Sequence, residues 1–188
     1  SAVGEQQLLA AGIAEDDLTR AIAGYPIWLC DDDSREITDF IGLDEGAKKV
    51  VFAHAKMGEQ AQGGTGFNVT SLQEVGRQAL ASLAFISRGE SSTVWTTDRW
   101  QSDVQANTVL LAGRNRTFRN AHGLTADQLN EKLVRACRNP SFDKEIWIVG
   151  AKMVRRDALS QGLDAAAPAN RLRQLLMDWD ALQTACER

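Results

Sequence analysis

The sequence predicts an α/β domain with a mixed central sheet flanked by helices. Short β-rich segments at residues 27–30, 37–43, 49–56, 93–96 and 145–149 alternate with helical patterns, which indicates a sheet connected by helices. The length of 188 residues suffices for one well-buried core. We therefore expect residues 1–188 to form a single domain, either alone or as a fragment of a longer protein.

A β-hairpin is the best-defined local feature. Residues 37–43 and 49–56 are both β-rich, and the turn residues 44–46 separate them. A short strand at residues 27–30 comes before the hairpin, and residues 5–23 carry apolar side chains at roughly helical spacing. The first part of the chain therefore predicts a helix followed by three strands.

A long helix is predicted after the hairpin, at residues 71–87. Its apolar side chains share one stripe, and either Thr70 with Gln73 or Ser71 with Glu74 supplies a capping box. The glycine-rich stretch between the hairpin and this helix is typical of a loop.

Further helices are predicted in the second half of the chain. Thr125 and Gln128 form a capping box for a helix that runs to Arg138. Residues 154–163 and 171–185 complete the chain as helices, and the last of them carries Leu and Trp side chains toward a core.

Charged residues are unevenly distributed along the chain. The net charge of -4 argues against a protein that coats nucleic acid indiscriminately. Residues 99–138 nevertheless carry seven bases against three acids, and Arg114, Arg116 and Arg119 are the candidate phosphate contacts there. This pattern predicts a local surface for nucleic acid.

The cysteine content and hydropathy bear on the compartment. Three cysteines stand isolated, without the paired spacing of a zinc site or a disulfide framework. Apolar runs are far shorter than the ~20 residues of a membrane helix, and no signal sequence opens the chain. We expect a cytoplasmic protein without a membrane partner.

The second strand of the hairpin ends in polar residues on one face. The two-residue period of a strand places Val50, Phe52, His54 and Lys56 together. Asp39 lies among apolar residues of the partner strand, where a carboxylate needs an exposed edge or a cation. These residues are the candidate site.

The run REITDFI at residues 35–41, a turn, and VVFAHAK at residues 50–56 resemble, in order and spacing, the core of PD-(D/E)xK nucleases. The resemblance covers residues 25–88 and implies a restriction-endonuclease-like fold. In that superfamily an Asp on the second strand and an acid two residues before a Lys on the third hold Mg²⁺, and a helix follows. It thus implies that Asp39 is a metal ligand and Lys56 the catalytic lysine.

His54 stands where the family usually has an acid, as Gln does in Mrr-like enzymes. We expect His54 to complete the catalytic site as a metal ligand, and because imidazole is a softer ligand than carboxylate, it favours Mn²⁺ over Mg²⁺. Glu74 and Gln78 share a helix face, where Glu74 is the further candidate metal ligand and Gln78 a contact to Lys56 or phosphate, as in RecB-like members. Asp31, Asp32 and Asp33 are alternative acids, and Glu36 would reach the metal only through a bulge.

The resemblance implies a metal-dependent DNA endonuclease that uses Mg²⁺ or Mn²⁺, in restriction or phage defence. Its partners would be DNA and a helicase or motor domain, and a homodimer is expected because cutting both strands commonly uses two sites. The alternative is a catalytically degenerate domain of the same fold that binds nucleic acid or a protein. A purely structural interaction domain is the third interpretation.

Overall fold

A computed structural model of the chain describes residues 20–31, 37–57, 66–87, 95, 97–106, 109–151, 153–166 and 169–186. The strands are β1 (Ile27–Cys30), β2 (Phe40–Asp44), β3 (Lys49–Met57), β4 (Asp103–Ala106), β5 (Val109–Asn115), β6 (Thr117–Asn120) and β7 (Asp143–Ala151). The helices are α1 (Val69–Ser87), a 3-10 helix (Thr97–Gln101), α2 (Ala126–Arg138), α3 (Arg156–Asp164) and α4 (Asn170–Cys186). Residues 20–23 form a further helical turn before β1.

Five strands form a mixed sheet in the order β6-β1-β2-β3-β7. The pairs β6–β1, β1–β2 and β2–β3 are antiparallel, whereas β7 runs parallel to β3. Parallel neighbours need a long crossover connection, which here includes α1 and α2. The predicted α/β class with a mixed sheet flanked by helices is confirmed.

The strand period distributes the sheet residues over two cores, as predicted. Val50 and Phe52 belong to the core covered by α2, whose Leu129 and Leu133 are almost completely buried. Val51 lies on the opposite face among aromatic side chains. Both faces of β3 are therefore covered, which explains the nearly continuous apolar sequence of this strand.

The aromatic face of the sheet depends on a close approach between β1 and β2. Trp28 lies opposite Gly42, and a Cβ added to Gly42 would lie 2.5 Å from the Trp28 ring and 2.6 Å from Val51. Trp28 also packs against Trp147 with ring centroids 6.0 Å apart. The glycine leaves the space that the indole ring fills.

Helix α1 has a second layer of helices on its outer side. Val75 of α1 packs with Leu172 and Leu175 of α4 and with Met153 after β7. Trp179, which the sequence predicted to face a core, is 50% exposed on α4. The prediction was wrong for Trp179 and for Leu176, which is 39% exposed, whereas the predicted core positions Leu172 and Leu175 are buried.

The predicted cap is present at helix α2, whereas the cap of helix α1 differs from the predicted one. Thr125 and Gln128 form the predicted capping box of α2. At α1, Asn68 Oδ1 accepts the Ser71 N–H at 3.1 Å, so the cap is an asparagine and the helix begins at Val69. The predicted capping boxes at residues 70 and 71 were therefore placed too late.

The predicted hairpin, the helix that ends at residue 87, and the elements β7, α3 and α4 are confirmed, with ends that differ from the predicted ones by about two residues. The exception is β2, which was predicted from residue 37 and begins at Phe40. The strands β4, β5 and β6 were not predicted. Most of the predicted first helix, residues 58–65 of the predicted glycine-rich loop, and residues 93, 94 and 96 of the predicted strand at 93–96 lie outside the described residues. In the described part of the chain, no helix combines the length and apolar character needed to cross a membrane.

Candidate functional site

The predicted site residues of the hairpin lie at one end of the sheet. The carboxyl ends of β1, β3 and β7 meet there with the start of β2. Asp39 lies in a bend at residues 37–39, directly before β2, and not within a strand as predicted. This 37–39 bend carries Asp39 toward β3.

Asp39 is anchored to the backbone of β3. Its Oδ2 accepts the Ala55 N–H at 2.6 Å, and its own carbonyl accepts the Asp31 N–H at 2.8 Å. Hydrogen bonds from backbone N–H groups stabilise an ionised carboxylate. The carboxylate is thereby fixed beside the residue that precedes Lys56.

Lys56 forms an ion pair with Glu74 of α1. Lys56 Nζ donates to Glu74 Oε1 at 2.8 Å, and the two side chains are 34% and 47% exposed. Both groups are thus in reach of solvent, where a charged ligand has access. The structure brings together Lys56 and Glu74, two of the residues that sequence analysis assigned to the site.

His54 has a different environment from the one predicted for a metal ligand. It is 1% exposed, and its Nε2 lies 2.8 Å from Ser82 Oγ on α1. Burial lowers the pKa of His54 to about 4, so the ring is neutral at pH 7. Nε2 is thus used in a hydrogen bond within the core, and the ligand role of His54 stays a prediction.

Asp31, one of the alternative acids, helps to hold the 37–39 bend. Trp100 Nε1 donates to Asp31 Oδ1 at 3.1 Å, and the Ile37 N–H also donates to this carboxyl. Burial raises the pKa of Asp31 to about 6, although hydrogen bonds and nearby Arg99 and Arg116 lower it in part. The sequence feature that made Asp31 a candidate is an acidic residue at the end of an apolar strand. Asp32, Asp33 and Glu36 lie outside the described residues.

Gln78 lies one turn after Glu74 on α1 and is half-buried. The predicted contact of its side chain with Lys56 or phosphate stays a prediction.

The three arginines predicted to contact phosphate have different positions. Arg119 Nη1 donates to the carbonyls of Ile22 at 2.7 Å and Tyr25 at 3.0 Å, so this guanidinium ties the helical turn at residues 20–23 to β6. Arg116 Nη1 lies 3.8 Å from Cys30 Sγ. Arg114 belongs to β5, and its side chain lies outside the described part of the structure. A structural role accounts for Arg119 without phosphate.

The donor atoms at the sheet end are suited to a hard divalent cation. Asp39 and Glu74 supply carboxylate oxygens, which Mg²⁺ and Mn²⁺ accept, and Mg²⁺ commonly uses only one or two protein carboxylates beside water and substrate oxygens. Among the described residues, no group of three or more His, Cys, Asp or Glu is arranged to hold a metal ion. A metal here would therefore depend on phosphate and water for much of its shell.

Protein-family models, curated proteins and solved structures gave no match to this chain. The resemblance to PD-(D/E)xK nucleases thus rests on the residues at 35–41 and 50–56.

Proposed function

We propose that the chain is a metal-dependent DNA endonuclease domain with its site at the end of the sheet where Asp39 and Lys56 lie. The Asp39 carboxylate is bonded to the backbone N–H of Ala55, the residue before Lys56, while Lys56 itself is paired with Glu74. One acid is thus held against the backbone next to Lys56, and a second acid is paired with the exposed Lys56 ammonium group.

The side chains at this edge have the chemistry that phosphodiester hydrolysis requires. A divalent ion, when bound, polarises a phosphate oxygen and lowers the pKa of a bound water. Asp39 and Glu74 would hold it through carboxylate oxygens. Lys56 would orient the phosphate and offset the negative charge that develops on it as the bond to the attacking oxygen forms.

The Lys56–Glu74 ion pair gives a substrate a way to enter. A phosphate approaching Lys56 competes with Glu74 for the ammonium group, and the pair is exposed enough to rearrange. Displacement would release the Glu74 carboxylate for a cation that accompanies the phosphate. The Lys56–Glu74 contact therefore supports the assignment of both residues to the proposed site.

The order of elements also supports the restriction-endonuclease-like fold that this proposal includes. Asp39 comes directly before the second strand, Lys56 lies on the third, and α1 follows and packs behind them. The resemblance implies the same order of elements, with the difference that its Asp lies on the second strand and Asp39 lies just before it. The parallel pairing of β3 with β7 completes a mixed sheet around the site.

A binding domain without cleavage is the second candidate, and His54 favours it. At the position where the resemblance implies an acidic ligand, the side chain is buried and bonded to Ser82. A site with one ligand fewer binds a cation more weakly. Such a domain would keep Lys56 as a phosphate contact but would not hydrolyse the phosphodiester bond.

Cleavage of supercoiled plasmid with Mg²⁺ or Mn²⁺ tests the proposal. Asp39→Asn and Lys56→Met should each lower the rate by about 10²- to 10³-fold, in line with the loss of one group that stabilises transition-state charge. Lys49→Met is the matched control, because Lys49 lies at the other end of β3 and forms a similarly exposed ion pair with Glu145 at 3.0 Å. Asp178→Asn serves in the same way for Asp39, since Asp178 accepts a hydrogen bond from Gln73.

Two results would contradict the proposal. One is equal cleavage by the native chain and both site variants, which would point to a contaminating nuclease. The other is no cleavage by the folded native chain with either metal. In that case DNA binding at low salt, weakened by Lys56→Met but not by Lys49→Met, would favour the binding domain.

A further inference from the structure

A chain of hydrogen bonds connects His54 to the 37–39 bend through α1. His54 Nε2 lies 2.8 Å from Ser82 Oγ, and Ser82 Oγ donates to the Ile37 carbonyl. His54 is 1% exposed and Ser82 0%, so water does not replace these contacts. The three groups lie on β3, α1 and the bend that carries Asp39.

The number of available protons determines which group donates in each of these hydrogen bonds. A serine hydroxyl has one proton, and Ser82 uses it for the Ile37 carbonyl, which has none to give. Ser82 Oγ must therefore accept from His54, and the neutral imidazole carries its proton on Nε2. His54 is thus the donor and Ser82 the acceptor of the hydrogen bond between them.

The 37–39 bend is fixed at each of its three residues. The Ile37 carbonyl accepts from Ser82, Thr38 Oγ1 donates to the Ala53 carbonyl at 2.8 Å, and Asp39 Oδ2 accepts the Ala55 N–H at 2.6 Å. Ala53, His54 and Ala55 are consecutive on β3. His54 thus acts on the bend by its side chain, while its two neighbours act by their backbone.

We propose that His54 is a positioning residue for Asp39, acting through Ser82 and the Ile37 carbonyl. The inference rests on the proposed function only for its effect on cleavage, because the placement of Asp39 can be measured without DNA or metal. The resemblance implies an acidic metal ligand at this position, whereas His54 positions another ligand. It orients the carboxylate that would hold the ion and does not contact the ion.

This role explains why an acid is unsuitable at residue 54 in this chain. An ionised carboxylate accepts hydrogen bonds only, and Ser82 Oγ has already given its proton to Ile37. A carboxylate would leave either itself or the Ile37 carbonyl without a donor in a buried place, which is costly. Glutamine, in contrast, can place an N–H near the position of the imidazole Nε2.

Amide hydrogen exchange measured by NMR tests the inference in the full chain. The reporter is the Ala55 N–H, relative to the amides of Val51 and Phe52 in the middle of the same strand. His54→Leu and Ser82→Ala should each accelerate exchange at Ala55 by about tenfold relative to those amides, because the hydrogen bond to Asp39 is then held less firmly. His54→Gln should restore protection to within about twofold of the native value.

Thr125→Ala is the matched control, since it removes the cap of α2 and lowers global stability without touching the bend. It should change exchange at all three amides in parallel. Unchanged relative protection at Ala55 in both His54→Leu and Ser82→Ala would overturn the inference. Equal acceleration in His54→Gln and His54→Leu would overturn it as well, because packing alone would then explain the effect.

Plasmid cleavage distinguishes failure of this inference from failure of the proposed function. If Ala55 responds as expected and the native chain cleaves, His54→Leu and Ser82→Ala should lower kcat by about tenfold with little change in KM, and His54→Gln should retain most of kcat. If Ala55 responds and the native chain does not cleave, the positioning role stands and the proposed function fails. If cleavage occurs and Ala55 does not respond, the positioning role fails alone.

Discussion

Replacement of His54 by Gln should change how the free energy of unfolding depends on pH. Burial lowers the pKa of His54 to about 4, whereas an unfolded histidine titrates near 6.5. Between these values the unfolded chain binds a proton that the folded chain does not bind, so stability falls as the pH falls from about 6.5 to about 4. At about 1.4 kcal/mol for each pH unit, the loss from His54 is about 3 kcal/mol.

Asp31 has the opposite effect in nearly the same pH window. Its pKa is raised from 3.8 to about 6, so between these values the folded chain holds a proton that the unfolded chain has released. Stability therefore falls as the pH rises through the window, again by about 3 kcal/mol. In the native chain the contributions of His54 and Asp31 largely cancel, and their pH dependence becomes visible only when one is removed.

Urea unfolding at intervals between pH 4 and pH 8 measures both effects. The stability of His54→Gln relative to the native chain should rise by about 3 kcal/mol between pH 7 and pH 4, because Gln does not bind the proton. Asp31→Asn should show the reverse, with its relative stability falling over the same range. Thr125→Ala should differ from the native chain by a constant amount. A pH-independent difference for His54→Gln would refute the reasoning, since it would mean that the folded imidazole titrates as an exposed one does.

Three further predictions concern packing, capping and the site. Gly42→Ala should destabilise the fold by about 1–3 kcal/mol, because the added Cβ would lie 2.5 Å from the Trp28 ring, and an unchanged urea midpoint would contradict that packing. Thr125→Ala should cost about 1 kcal/mol through loss of the α2 cap, as measured by thermal unfolding, whereas Thr125→Ser should restore most of it. Lys56→Met should change the free energy of unfolding by less than about 1 kcal/mol, because its ion pair with Glu74 is exposed, while the cleavage rate falls by about 10²- to 10³-fold. A large loss of stability in Lys56→Met would mean that the lysine is structural.

Local patterns were sufficient where neighbouring residues determine the structure. The hairpin follows from two apolar runs around a turn, and the strand period correctly placed His54 on the face of Phe52. The cap at Thr125 could be predicted because its partner lies three residues away. These features depend on contacts between residues close in sequence.

Contacts between distant segments account for what the sequence did not predict. Ile37 and Thr38 have β-forming side chains, but their polar groups bond to Asp31, Ser82 and Ala53, and β2 begins only at residue 40. The role of His54 depends on a serine that is 28 residues further along the chain. Strand β6 pairs with β1 across about ninety residues, so its short sequence alone carries little signal.

The parallel pairing of β3 with β7 has a consequence for the order of folding. Lys49 pairs with Asp143 and Lys56 with Gly150, so about ninety residues must be enclosed before this ladder closes. Loops of this length make contacts slow to form, whereas the β2–β3 hairpin can form early from neighbouring residues. In a refolding experiment the anchoring of Asp39 on β3 should therefore precede the docking of β7 beside Lys56, and the sheet end should become complete only in the last phase.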